Sequence, residues 1–172
     1  MKHLRKYKIF KSNSQIDTIC EKYNIKNYTI NSDNSVDVDG DVDLYDEKLT
    51  SIPLNFNIVN GNFDCGWNYL TSLEHHPTVY GGFHCQNNQI NTFENFYYYM
   101  EDVYFDGNPI YDIYVLFNDM KLIELTWDYG FEWKGEIDLY KLDIFLKETE
   151  HEYKGSLREY FEGKEYKWKL IE

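Results

Sequence analysis

The chain has 172 residues, 42% of them hydrophobic and 19% aromatic, with a formal net charge of −13 at pH 7. That is enough length and apolar content for one domain with its own core. No apolar run approaches the roughly 18 residues a membrane span needs. Three cysteines with no apolar leader-like run behind the N-terminus argue against a secreted disulfide scaffold, so a reducing cytoplasm is the expected setting.

The charge is unevenly spread. Residues 1–11, "MKHLRKYKIFK", carry five Lys or Arg and no acid, whereas residues 33–119 carry fifteen Asp or Glu and a single base, Lys48. A segment with no Arg and one Lys cannot neutralise phosphates, which excludes a direct nucleic-acid reader there. It would instead attract a basic partner.

Next in the chain, "NSQIDTICEKYNI" opens with helix-start residues and repeats Ile16, Ile19, Cys20 and Tyr23 at helical spacing, which predicts a short amphipathic helix. The stretch "NYTINSDNSVDVDGDVDL" alternates with period two around Asp39-Gly40. A three-residue loop, Asp39 to Asp41, would place Val38 opposite Val42 and Val36 opposite Leu44 in a hairpin, all on one face. The string D-V-D-G-D-V-D also looks like part of a calcium loop. With Gly40 at the sixth position, however, the first and twelfth ligands would be Ser35 and Asp46, where Asp and Glu are needed.

A period of 20 to 21 residues follows. "VDLYDEKLTSI" from Val42, "FDCGWNYLTSL" from Phe63, "FHCQNNQINTF" from Phe83 and "VYFDGNPIYDI" from Val103 share apolar residues at offsets 0, 2, 7 and 10. These are Val42, Leu44, Leu49, Ile52; Phe63, Cys65, Leu70, Leu73; Phe83, Cys85, Ile90, Phe93; and Val103, Phe105, Ile110, Ile113. Offset 5 is Asn68, Asn88 and Asn108 in the last three units and Glu47 in the first. Offsets 0 and 2 read as the inward residues of a short strand, and the Asn as the residue whose amide satisfies the backbone where the strand turns.

The pattern resembles the leucine-rich repeat, L-x-x-L-x-L-x-x-N-x-L, which implies an α/β fold: a short solenoid of about four rungs with parallel strands. Cys65 and Cys85 then sit at an inward position, as small core residues. His84 must point the other way, and His75 and His76 lie in the return segment "EHHPTVYG", so no metal site is expected. A Cys65–Cys85 disulfide is not expected in a reducing compartment.

After Ile113 the repeat decays. Leu122, Ile123, Leu125 and Trp127 fit a helix, although "IELTW" also reads as a strand, and the alternatives stay open over 121–129. Leu139, Leu142, Ile144, Phe145 and Leu146 fit a helix, and "EYKWKLI" alternates Tyr166, Trp168, Leu170 as a strand would. The expected organisation is one structural domain. Residues 1–39 supply a basic segment, helix and strand cap, 40–119 form the repeat array, and 120–172 form a mostly helical C-terminal cap that closes the open end of the core. Up to about residue 130, the helix segment, the Asn-x-Leu-Thr-Ser-Leu-Glu unit and "NPIYDIYVLFND" together are similar to a family of short leucine-rich-repeat proteins encoded largely by bacteriophages. That resemblance implies a helix for "NPIYDIYVLF", more helix after it, and a host-cell cytoplasm. It implies no settled activity.

The outward strand residues are the candidate site. They run Asp41, Asp43, Tyr45; Asn62, Asp64, Gly66; Gly82, His84, Gln86; and Asp102, Tyr104, Asp106, with Trp67 just beyond at the turn. Carboxylates mixed with rigid aromatics suit protein recognition. A polar strand face also needs no reason beyond solubility. Against that, like charges on neighbouring strands, such as Asp43 beside Asp64, are destabilising. The expected function is a non-enzymatic interaction module without cofactor, binding a protein with a basic surface; the resemblance makes that partner a bacterial host protein, including one of antiviral defence. The alternative is an acidic DNA mimic that inhibits a DNA-handling enzyme. A glycosidase-like pairing of Asp43 with Asp64 lacks the enclosed pocket that would raise one carboxyl's pKa, and no nucleophile-base pair, phosphate loop or H-E-x-x-H is present.

Overall fold

The computed structural model describes residues 11–92, 103–117, 136–149, 153 and 155–171, and the fold is mixed α/β, with two sheets dominated by parallel strands, a third of two strands, and four helices among the described residues. Helix α1 (Asn13–Lys22) begins where the Gln15 side chain accepts from the Ser12 N–H at 2.8 Å, a reciprocal capping device. It buries Ile16 and Cys20 and stops at Asn24, whose φ of 53° is left-handed. The Tyr28 hydroxyl donates to Asp17 at 2.7 Å and ties the helix to the strand that follows.

Strands β1 (Tyr28–Ile30) and β2 (Val36–Val38) form an antiparallel hairpin, with Tyr28 opposite Val38 and Ile30 opposite Val36. β2 then pairs in parallel with β4 (Phe56–Val59), and β4 with β6 (Thr78–Val79). A second sheet runs β3 (Val42–Asp43), β5 (Phe63–Asp64), β7 (Phe83–His84), β8 (Val103–Tyr104), every pairing parallel. Its register aligns Val42, Phe63, Phe83 and Val103, the offset-0 residues of the four sequence units.

The expected hairpin over residues 36–44 is not formed. Val38 lies opposite Tyr28 and Val59, and Val42 opposite Phe63. Asp39-Gly40-Asp41 is a corner that carries the chain from one sheet to the other. At this corner the Gly40 carbonyl accepts from Gly61 N–H at 3.1 Å, and the Gly61 carbonyl from Gly81 N–H at 3.1 Å. A Cβ on Gly61 would stand 2.6 Å from the Gly40 carbonyl carbon, and one on Gly81 2.8 Å from that of Gly61, so the corners stack only without side chains. A hairpin exists, one strand earlier than the alternation suggested.

The core lies between the two sheets. Cys65 and Cys85 have no exposed surface, and Leu44, Phe63, Phe83, Leu70, Leu73, Ile90, Ile110 and Ile113 are equally buried. Leu49 and Val103 are half-buried, and Phe93 lies outside the described residues. Phe63 links the sheets, stacking on Phe83 at 5.8 Å and meeting Phe56 edge-on at 5.3 Å.

Helix α2 (Pro109–Phe117) confirms the expected helix and buries Ile110, Ile113, Leu116 and Phe117. Beyond the undescribed residues 118–135, which hold the open helix-or-strand question, β9 (Glu136–Asp138) leads into α3 (Leu139–Glu148). Asp138 caps α3 by accepting from Lys141 N–H at 2.9 Å, and Leu142, Phe145 and Leu146 are buried as their spacing requires. Helix α4 (Leu157–Glu162) precedes β10 (Lys169–Ile171), which pairs in parallel with β9. This end docks on Asp112 in the first turn of α2. The Asp112 carboxylate accepts from the Trp168 indole N–H at 3.1 Å and faces Lys164 Nζ at 3.6 Å, while its carbonyl accepts from the Tyr160 hydroxyl at 2.6 Å.

Candidate functional site: the outward strand face

The parallel register puts Asp43, Asp64, His84 and Tyr104 side by side as one row across the second sheet. Within it, His84 Nδ1 lies 3.6 Å from Asp64 Oδ2, an ion pair when the imidazole is protonated, and the His84 ring meets Tyr104 edge-on at 4.9 Å. Tyr45, Trp67 and Tyr104 are 47%, 54% and 54% exposed. Asp43 and Asp106 are exposed, and Asp64 and His84 half-buried. Asp102 lies outside the described residues.

Several of these carboxylates also stabilise the backbone. Asp43 Oδ1 accepts from Tyr45 N–H at 3.0 Å, and Asp64 Oδ1 from Gly66 N–H at 2.9 Å. The like-charge neighbours therefore have a structural return that strand alternation alone did not reveal. Asp41 is more committed still. Its Oδ1 accepts from Asn62 N–H at 2.7 Å, and Asn62 Oδ1 accepts from Gly82 N–H at 2.7 Å, a side-chain ladder beside the glycine corners. Asp41 is exposed and, through this bond, also part of the corner. Gln86 is half-buried over Gly66, where a Cβ would come within 2.7 Å of its Nε2.

Behind the face, burial pushes the Cys65 and Cys85 thiols far above their ordinary range, with the carboxylate of Asp64 adding to the effect on both. Both thiols are free, so each is a protonated, buried apolar group at neutral pH. Among the described residues no cluster of three or more His, Cys, Asp or Glu is placed to hold a metal ion. No described helix is long and apolar enough to cross a membrane.

Where the strands end, each unit makes the same turn. Asp46, Trp67, Asn87 and Gly107, all at offset 4, have φ of 53°, 55°, 54° and 70°. The Asn that follows is buried and bonds both its own unit and the one before. Asn88 Oδ1 accepts from Leu70 N–H at 2.9 Å, and its Nδ2 donates to the carbonyls of Cys65 (2.9 Å) and Cys85 (3.1 Å). Asn68 does the same for Leu49, Leu44 and Cys65, and Asn108 for Ile90, Cys85 and Phe105. The amides bond the backbone rather than each other.

Beside these turns opens a cleft of about 720 Å³ that the strand pattern did not foretell. Trp67 lines it with Tyr69, Tyr111, Tyr166, Asp46 and Glu165. The clustering of Trp67 and Tyr69 within "GWNYL" was a visible signal. The approach of Tyr166, almost a hundred positions later, was not. No protein-family model, no curated protein and no solved structure matches this chain.

Proposed function

We propose that this chain is a short leucine-rich-repeat solenoid of about four rungs, resembling the phage-encoded type. α1 and the β1–β2 hairpin would close one end of it, and the segment from α2 onward the other. On this reading it is a non-catalytic module that binds a basic protein, of a bacterial host, through the outward strand face. The solenoid reading is supported by one strand pairing per sequence unit in unchanged register, and by an Asn repeating the same bonds at each turn.

The binding reading rests on one observation. The in-register row Asp43, Asp64, His84, Tyr104 mixes carboxylates with an exposed Tyr, and exposed Tyr45 and Trp67 flank it. Rigid aromatic anchors within a charged field are what a protein-recognition patch requires. The test is capture of bacterial proteins on the immobilised chain at low and at high salt, with Tyr104→Ala and Asp43→Asn/Asp64→Asn variants alongside. A specific partner that is weakened about tenfold or more by Tyr104→Ala supports recognition. A partner that handles DNA, lost with the carboxylates and indifferent to Tyr104, converts the reading to a DNA mimic. Retention of nothing at either salt removes the binding reading.

A further inference from the structure

We propose that the cleft beside the exit turns is an arginine-accepting site that takes a guanidinium group from a basic segment of the partner protein. The inference rests on the strand-face reading and names the chemistry the partner must bring. The cleft begins where the face ends, since Trp67, Asn87 and Gly107 directly follow Gly66, Gln86 and Asp106, so a chain laid on the face reaches it without a gap. Its far wall is held in place, with Asn91 Nδ2 donating to the Tyr166 hydroxyl at 3.1 Å and Trp168 anchored to Asp112. At about 720 Å³ it holds more than one side chain and falls within the range of natural ligand sites.

Two observations set the class of ligand. The walls combine aromatic rings with side-chain amides and the charges are negative: Trp67, Tyr69, Tyr111 and Tyr166 stand with Asn87, Gln89, Asp46 and Glu165, and among the described residues no Lys or Arg lines the cleft. Asp112 is already satisfied by Trp168 and Lys164, whereas Asp46 and Glu165 are exposed with no ion pair among the described residues. An anionic ligand would be repelled, and an apolar one would leave the carboxylates unused. A planar cation that stacks on aromatic faces while donating to carboxylates uses both, and among side chains that is arginine rather than lysine.

The second observation is Trp67 itself. The equivalent position holds Asp46, Asn87 and Gly107 in the other units, residue types that accept the left-handed turn readily. Trp67 takes the same φ of 55° at a steric cost, and with 54% of it exposed it returns little burial to the core. A bulky aromatic held in a costly conformation and half in solvent is kept for what it touches from outside.

The experiment titrates the full chain with a short peptide carrying one arginine, and with its lysine and citrulline counterparts, following binding by isothermal titration calorimetry in every variant and, wherever Trp67 is retained, its indole N–H by NMR. The arginine peptide is expected to shift that signal, the lysine peptide more weakly, and citrulline not at all. Trp67→Asn, which installs the residue of the next unit, is expected to weaken the arginine response about tenfold or more while raising Tm by about 2–4 °C. Glu165→Gln is expected to weaken it without moving Tm. No response to arginine, an equal response to citrulline, a stronger response to tetramethylammonium than to arginine, or a fall in Tm for Trp67→Asn overturns the inference. Partner capture that survives Trp67→Asn unchanged overturns this inference alone. An intact arginine response with no captured partner overturns the strand-face reading alone.

Discussion

The turns that leave the strands of the second sheet and the segments that lead to the next strand do the same topological job under different rules. At the exits the chain takes a left-handed conformation at one offset in all four sequence units, and Asn68, Asn88 and Asn108 repeat each other's bonds in the last three. On the return side nothing recurs so closely. One return holds Pro53 and buried Leu54, and the next holds His75 at φ 73° with buried His76 on the Pro77 carbonyl and 5.5 Å from Phe83. The β2–β4 pairing even shifts register between Val36 and Asp37. The lesson is about backbone polarity. Where buried N–H and C=O groups have no backbone partner, one side-chain type at one spacing is required. Where the chain needs only apolar volume, many residues serve.

The exception at the exits supports the rule. Each Asn satisfies the unit before it, and the first unit has none before it, so exposed Glu47 stands there without penalty.

The largest break in this comparison is Asn88→Ala. It strands the buried Leu70 N–H and removes one of the two amide donors on each of the Cys65 and Cys85 carbonyls, which keep Asn68 and Asn108, and should cost about 2–3 kcal/mol in urea unfolding. A loss under about 1 kcal/mol would sink the account of the exits.

A smaller loss is expected from pH. Burial, with the Asp17 charge second, pushes the Cys20 thiol up to about 11, and burial raises Cys65 and Cys85 further. Because the folded-state values are raised, the folded chain keeps protons that the unfolded chain releases above ~8.5. This contribution is therefore complete below about pH 8.5 and lost as pH climbs toward 11 and beyond. Urea midpoints measured from pH 7 to 10.5 should fall, and fall less for Cys20→Ala when each protein is referenced to its own pH 7 value. Thiol-reagent labelling at pH 8 should track unfolding rather than occur in the native state.

On the return side, His76→Leu keeps the buried volume but gives up the bond to the Pro77 carbonyl, and should cost about 1–2 kcal/mol in the same assay. Smallest of all, Glu47→Ala should stay within about 0.5 kcal/mol of the parent. A Glu47→Ala effect as large as that of Asn88→Ala would erase the distinction between the first exit and the rest.

Much of this was legible in the chain. The offset pattern put Leu44, Phe63, Cys65, Phe83 and Cys85 inside, and helical spacing located α1 and α3. These features depend on residues close together, or on a period long enough to repeat, and both survive in a linear string. The hairpin was misplaced because Asp39-Gly40-Asp41 has the same local chemistry whether it reverses the chain within one sheet or turns it into another. What decides is the Gly61 backbone, twenty residues on, pressed against Gly40. The glycine corners are themselves written at the 20 to 21 residue spacing, two positions before β3, β5 and β7, a period carried by glycines rather than by apolar residues.

By itself, then, the sequence determined which side chains point inward, that the exits need an amide, and that the outward row is acidic, since each follows from alternation and period. Only the tertiary structure decided which strands pair, that Asp41 bonds the backbone of Asn62, and that Tyr166 closes a cleft over Trp67 and Tyr69. Those outcomes turn on contacts between groups far apart in the chain, whose energies exist only once the strands have paired.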